Sequence, residues 1–181
     1  MSNPAAVRIV DYDLRWPELF ERERDALFEI FDPADTAIEH VGSTAVPGLG
    51  AKPIIDILLG APALSEIECR IAALERAGWA YLPQHEDALP ERRFLAQPRT
   101  RPRSYHLHAV VRGSCFWVDH LEFRDRLRGC PDAARSYLEL KRGLAARYRD
   151  DREAYTEAKG DFVRTLLRAG QAARPESAGP R

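Results

Sequence analysis

Lysine is nearly missing from this chain. Of 27 basic residues among 181, only Lys52, Lys141 and Lys159 are lysine and the other 24 are arginine. Cysteine is sparse and odd in number: Cys69, Cys115 and Cys130 lack the paired spacing of a zinc finger, so reduced thiols are expected rather than a disulfide framework. No apolar run approaches the roughly 20 residues of a membrane helix. The N-terminus shows no charged-then-apolar leader, so the expected location is the cytoplasm. Surplus charge is missing too. A net charge of −1 leaves no electrostatic footprint for sequence-independent nucleic-acid binding.

What is present fits an ordinary folded domain. Hydrophobic residues make up 45% and charged residues 30%, and 181 residues suffice for one domain with a sizeable core. We expect residues 1–170 to form that domain. Residues 171–181 contain no large apolar side chain and carry Pro175 and Pro180, which predicts a disordered tail.

The stretch from Glu39 to Leu59 organises the rest. It reads as a strand ending in Gly42-Ser43, a turn-rich loop, and a buried strand over Ile54–Leu59 that carries one acid, Asp56. A carboxylate among aliphatic residues needs a partner, a metal or a shifted pKa. The glycine-serine turn can offer backbone N–H groups to an anion, and Lys52 stands four residues before the acid. Phosphate plus metal is the sharpest reading; a salt-bridged structural acid is the bland one.

Around that stretch, Val7–Tyr12 is expected as a short strand and Pro17 to about Phe31 as a helix. A Ser65/Glu68 capping box should open a helix closed by Gly78. Trp79–Leu82, Arg92–Gln97 and Ser104–Val111 read as strands, the last two joined by an exposed basic loop. Three helices should follow: Phe116–Leu127, Pro131–Tyr148 and Asp151–Arg168, the last opened by Asp150 and Glu153. The order predicts an α/β (α+β) fold, a small mixed sheet flanked by helices with a helical C-terminal third.

Further candidates follow from periodicity. His106 and His108, two residues apart on a strand, point to one face, where two imidazoles can share an ion or serve as hydrogen-bonded core groups. Lys141 and Lys159 interrupt apolar helix stripes, as does Arg124 between Leu121 and Leu127. Each alone reads as snorkelling at a core edge; together they favour a shared anion site. Arg92 and Arg93 are weaker candidates. Of Glu39 and His40, which point to opposite faces, one can look into the same cleft as Asp56.

These blocks carry a resemblance. Ile38-Glu39-His40-Val41-Gly42-Ser43-Thr44-Ala45-Val46-Pro47-Gly48-Leu49 with Lys52-Pro53-Ile54-Ile55-Asp56-Ile57 resembles the signature of the GrpB-like family. Tyr105-His106-Leu107-His108, Leu121–Arg128 and Tyr155-Thr156-Glu157-Ala158-Lys159 resemble its later blocks. That family in turn resembles the nucleotidyltransferase superfamily of the polymerase-β kind, and related domains occur fused to dephospho-coenzyme A kinase.

The superfamily pattern implies a glycine-serine turn holding nucleotide phosphate, then paired strand carboxylates holding magnesium for in-line transfer. Gly42, Ser43 and Asp56 match it. The positions that should carry a second carboxylate, Ile54 or Leu58, are aliphatic, and His106 and His108 stand where a third acid is expected. Either these histidines and Glu39 complete a Mg2+ or Mn2+ site with Asp56, or the activity has drifted or lapsed.

The resemblance thus implies binding of a nucleoside triphosphate and transfer of a nucleotidyl or phosphoryl group to a small acceptor. Gly42, Ser43, Thr44, Lys52, Arg93, Arg124, Lys141 and Lys159 are the expected phosphate contacts. Asp56, His106 and His108 are the expected catalytic groups. A silent nucleotide- or phosphometabolite-binding module linked to coenzyme A metabolism and a metal-dependent phosphohydrolase are the alternatives.

Overall fold

The computed structural model of the chain describes residues 6–100 and 102–171; the tail expected beyond residue 171 lies outside them. The elements run α1 (Trp16–Phe28), β1 (Ala37–Val41), β2 (Ile55–Ala61), α2 (Leu64–Glu68), α3 (Ile71–Arg76), β3 (Ala80–Tyr81), β4 (Arg92–Gln97), β5 (Tyr105–Val111), α4 (Cys115–Gly129), α5 (Pro131–Arg147), α6 (Arg152–Glu157) and α7 (Gly160–Gln171). The strands form one mixed sheet in the order β1-β2-β5-β4-β3. Only the β2–β5 pair is parallel.

Strand alternation divides the sheet into two faces. One carries Ile38, Ile55, Ile57, Leu59, Leu95, Leu107 and Ala109, which pack on Trp16, Phe20 and Leu27 of α1, Ile67 of α2 and Leu74 of α3. This is the main core. The opposite face begins the same way, with Val41, Leu58 and Val110 packed on Trp117 of α4. The approach is close: a Cβ on Gly60 would lie 2.6 Å from the Trp117 ring, so β2 needs glycine there. Further along, α4, α5 and α7 build their own cluster from Leu127, Tyr137, Phe123 and Phe162. There the helices stand off the sheet.

Several local expectations are corrected. Val7–Tyr12 makes no strand, only a bridge between Val10 and Ala51. The Ser65/Glu68 capping box does not form; α2 starts from Ala63 without a side-chain cap, and α2 and α3 are separate short helices. At the C-terminus Asp151, not Asp150, caps the helix, accepting a hydrogen bond from the Ala154 N–H at 3.0 Å. The single helix expected over 151–168 breaks between Glu157 and Gly160, leaving Lys159 in the joint. All three cysteines are free and exposed. Among the described residues, no helix is long and apolar enough to cross a membrane.

Candidate active site

The site is built on the centre of the sheet. Asp56 of β2 pairs in register with His106 of β5, and Leu58 with His108, so the carboxylate and both imidazoles share one face. His106 Nδ1 lies 3.1 Å from Asp56 Oδ1, and His108 Nε2 lies 3.8 Å from the same oxygen. One ligand atom from each of the three residues falls within 4.8 Å of the others, a spacing that could hold a metal ion.

Backbone geometry closes in on the acid from one side. After β1 the chain turns at Gly42 with φ +70°, and a Cβ there would sit 2.5 Å from Asp56 Oδ2. Only glycine lets the turn lie against the carboxylate. Burial alone would raise the Asp56 carboxyl, but the His106 hydrogen bond and the neighbouring His108 ring outweigh it and hold the pKa well below the usual carboxylate range. Burial pulls His108 down to about 4 and lowers His120 as well. At neutral pH the His108 ring is uncharged.

Between this face and α4–α7 lies a cleft of about 610 Å³. All three lysines of the chain line it, together with Gly42, Ser43, Asp56, His106 and His108. Lys52 and Lys159 both sit over the Tyr155 ring, at 5.1 and 4.7 Å from its centroid. Lys141, 2% exposed, lies over Tyr137 at 4.8 Å and donates to the Gly50 carbonyl at 2.6 Å. Burial, reinforced by the other lysines, lowers Lys141 to about 7 and Lys159 to about 8. The scarcity of lysine therefore has a place in the fold: one small volume of like charge.

Other expected members lie elsewhere. Glu39 shares the Asp56 face but pairs with Arg124 at 2.7 Å rather than joining the three-residue cluster. Arg124 in turn is engaged by Glu39, Asp125 and the His40 carbonyl, which makes it a brace between α4 and β1. Arg93 points to the opposite face, where it binds Glu68 of α2 at 2.6 Å. Thr44 does border the cleft, and its hydroxyl ties the loop by donating to the Ile54 carbonyl and accepting from His40.

Arg92, the weaker candidate of the sequence, lines the cleft. So do Phe116, His120, Tyr137 and Tyr155, which sequence reasoning did not place in the site. Arg92 has the parity of Phe94, which pairs with His108 across β4–β5. Its Nη1 lies 3.2 Å from His108 Nδ1, while its buried Nε has no hydrogen-bond partner among the described residues. Phe116 and His120, one turn apart on α4, stack at 3.9 Å and both lie 6.0 Å from the His108 ring. Their i, i+4 spacing was the available signal.

Asp56 sits between two charge clusters. Asp56 raises the Lys141 ammonium against burial, Lys159, Lys52 and Arg142, and it raises the His108 ring against burial, His120 and Arg92. The carboxylate is the shared member, with an ammonium-rich end of the cleft on one side and an aromatic, Arg92-bearing end on the other.

Comparison with known proteins agrees with the fold. A UPF0157 protein of Pseudomonas aeruginosa is 39% identical over 164 residues, covering 89% of this chain and 66% of its own length. A dephospho-CoA kinase of Mycolicibacterium paratuberculosis is 29% identical over 187 residues, covering 91% of this chain but 46% of the kinase. The chain thus spans about two thirds of the first relative and less than half of the second. The crystal structure of the conserved protein GrpB from Enterococcus faecalis superposes with a TM-score of 0.82 at 32% identity, over 91% of this chain and 98% of that one. The family model described as GrpB protein matches residues 6–169, and the chain belongs to the GrpB family.

Proposed function

We propose that this protein is a nucleotidyltransferase-like enzyme that binds a nucleoside triphosphate with a divalent metal and transfers a nucleotidyl or phosphoryl group to a small acceptor. The observation that carries the reading is the convergence of every lysine of the chain on the cleft that contains Asp56, His106 and His108. Three ammonium groups in one volume repel each other, and burial disfavours their charge further. A polyanion relieves both costs. Lys52 and Lys159, held over Tyr155, would take the phosphate chain, with Ser43 and the Gly42 backbone alongside. Lys159, lowered to about 8, can also exchange a proton with a bound phosphate or acceptor hydroxyl.

Asp56, His106 and His108 would hold the ion, whose contribution when bound is charge neutralisation at the reacting phosphoryl group. A second reading, a silent nucleotide- or phosphometabolite-binding module of coenzyme A metabolism, draws support from the kinase relative and from the single carboxylate of the cluster. Calorimetry with ATP, with and without Mn2+, tests the shared part: metal-dependent binding that weakens at least tenfold in Lys159→Met is expected. Pyrophosphate release with metabolite extracts then supports transfer. Phosphate release without an acceptor points to a phosphohydrolase instead, binding without turnover to the silent module, and no binding overturns both readings.

A further inference from the structure

The superfamily resemblance implies Mg2+, and the donors of this chain do not fit it. Mg2+ favours six oxygens in octahedral geometry and retains much of its water. Here the cluster offers one carboxylate oxygen and two imidazole nitrogens. Phe94 packs on both rings, at 5.3 Å from His106 and 5.2 Å from His108, which gives the cluster an apolar wall. Imidazole nitrogen suits zinc and the later first-row ions, with Mn2+ the weakest binder of that series.

Arg92 adds a second constraint. A guanidinium has donors only, so the contact between Arg92 Nη1 and His108 Nδ1 requires His108 Nδ1 to accept and places the ring proton on Nε2. That nitrogen is the one facing Asp56. An ion bound between Asp56 and His108 needs the Nε2 lone pair, which moves the proton to Nδ1. The Arg92 contact then sets donor against donor and must break. The guanidinium otherwise lies over the Phe94 and Phe116 rings, at 4.9 and 5.7 Å, contacts that fix no hydrogen-bond direction, and the side chain already lines the cleft.

We propose that the Asp56–His106–His108 cluster takes a transition ion such as Mn2+, Co2+ or Zn2+ in preference to Mg2+, and that Arg92 competes with this ion for His108 until the ion releases it toward an anionic ligand. The inference rests on the metal half of the function proposed above and not on transfer. It makes Arg92 a positioning residue that couples the two ligands: ion binding frees a phosphate donor, and a phosphate that captures the donor favours the ion by the same factor.

The test is calorimetry on the full chain after chelator treatment, titrated with MnCl2, CoCl2, ZnCl2 or MgCl2. Transition ions are expected to bind at least about tenfold more tightly than Mg2+. Bound Co2+ should give visible bands of nitrogen ligation that vanish in His108→Ala. Arg92→Met should bind Mn2+ several-fold more tightly than the native chain. Pyrophosphate should strengthen Mn2+ binding in the native chain and much less in Arg92→Met.

Mg2+ binding as tight as Mn2+ binding, unchanged Co2+ bands in His108→Ala, or weaker Mn2+ binding in Arg92→Met would each overturn the proposal. Should the alanine variant fail to fold, the Co2+ spectrum of the native chain still decides nitrogen ligation. Mn2+ binding without nucleotide turnover leaves this inference standing while it counts against transfer. Mg2+-supported transfer without Mn2+ binding does the reverse.

Discussion

The two faces of the central sheet are made by the same five strands and could hardly differ more. On β5, Leu107 and Ala109 are fully buried, whereas the side chains of His106 and His108, one residue away, keep 19% and 15% exposure. Under the first face α1, α2 and α3 pack against the sheet, so most inward positions lose their water and are apolar. Over the second face α4–α7 touch the sheet near Trp117 and then rise away from it. The gap they leave is what lets polar groups occupy strand positions without the cost of full desolvation. Stability belongs to one face and chemistry to the other.

The division can be broken from the core side. Ile57, fully buried between the strands and helices of the main core, should lose about 2–5 kcal/mol of stability on truncation to alanine. His106→Ala, one strand away on the cleft face, should cost less, about 1–2 kcal/mol, because its partner Asp56 is left with 31% side-chain exposure to water. Urea denaturation measures both. Equal losses would show that the two faces share the work of holding the fold.

Histidine offers a sharper contrast, since the chain uses it on both faces. His40, on the core face of β1, stacks on Phe20 at 4.7 Å and donates from Nε2 to Thr44 Oγ1 at 3.0 Å. Burial, with help from Arg128 and Arg124 and against the pull of Asp56, lowers it to about 4. Unfolded, the ring takes a proton near its ordinary 6.5. Between 6.5 and about 4 the unfolded chain therefore binds the proton more readily, so stability falls as pH drops through that window and is fully present above it. Comparing pH 7.5 with pH 5, the His40 share of this loss should be about 2 kcal/mol. His40→Phe should remove that share of the slope while leaving Mn2+ binding intact. An unchanged slope would show that the ring titrates elsewhere.

Much of this layout is legible in the sequence, and the reasons are physical. Strand parity is local, so the pairing of Leu107 with Ala109 and of His106 with His108 on opposite faces follows from a two-residue repeat alone. The Glu39–Leu59 stretch combines glycine, serine and a single acid within its second strand, which limits what the backbone there can do. Partners across the fold are another matter. Whether Glu39 meets a metal or Arg124 depends on where α4 crosses β1, and nothing near Glu39 encodes that crossing. Tyr137, Tyr155 and His120 reach the cleft by helix packing, so their sequence neighbourhoods look like any amphipathic surface. The break at Lys159 left only a trace, the glycine that follows it.

Arg92 and Arg93 give the smallest and most exacting version of the comparison, adjacent residues of one type sent to opposite faces. Arg93 binds Glu68, whose side chain is 46% exposed, and Glu86 at 3.3 Å. An ion pair with so wet a partner contributes about 0–1 kcal/mol. Arg93→Ala should therefore lower stability by less than about 1 kcal/mol, lose most of that difference in high salt, and leave pyrophosphate binding at the native value. Arg92→Ala should do the opposite, weakening pyrophosphate binding with little change in denaturation midpoint. The two variants measured side by side, by calorimetry and by urea denaturation, separate the faces residue by residue. If Arg93→Ala is the one that loses the anion, the ligand sits over the α2 side of the sheet, and the lysines of the opposite cleft serve the fold instead.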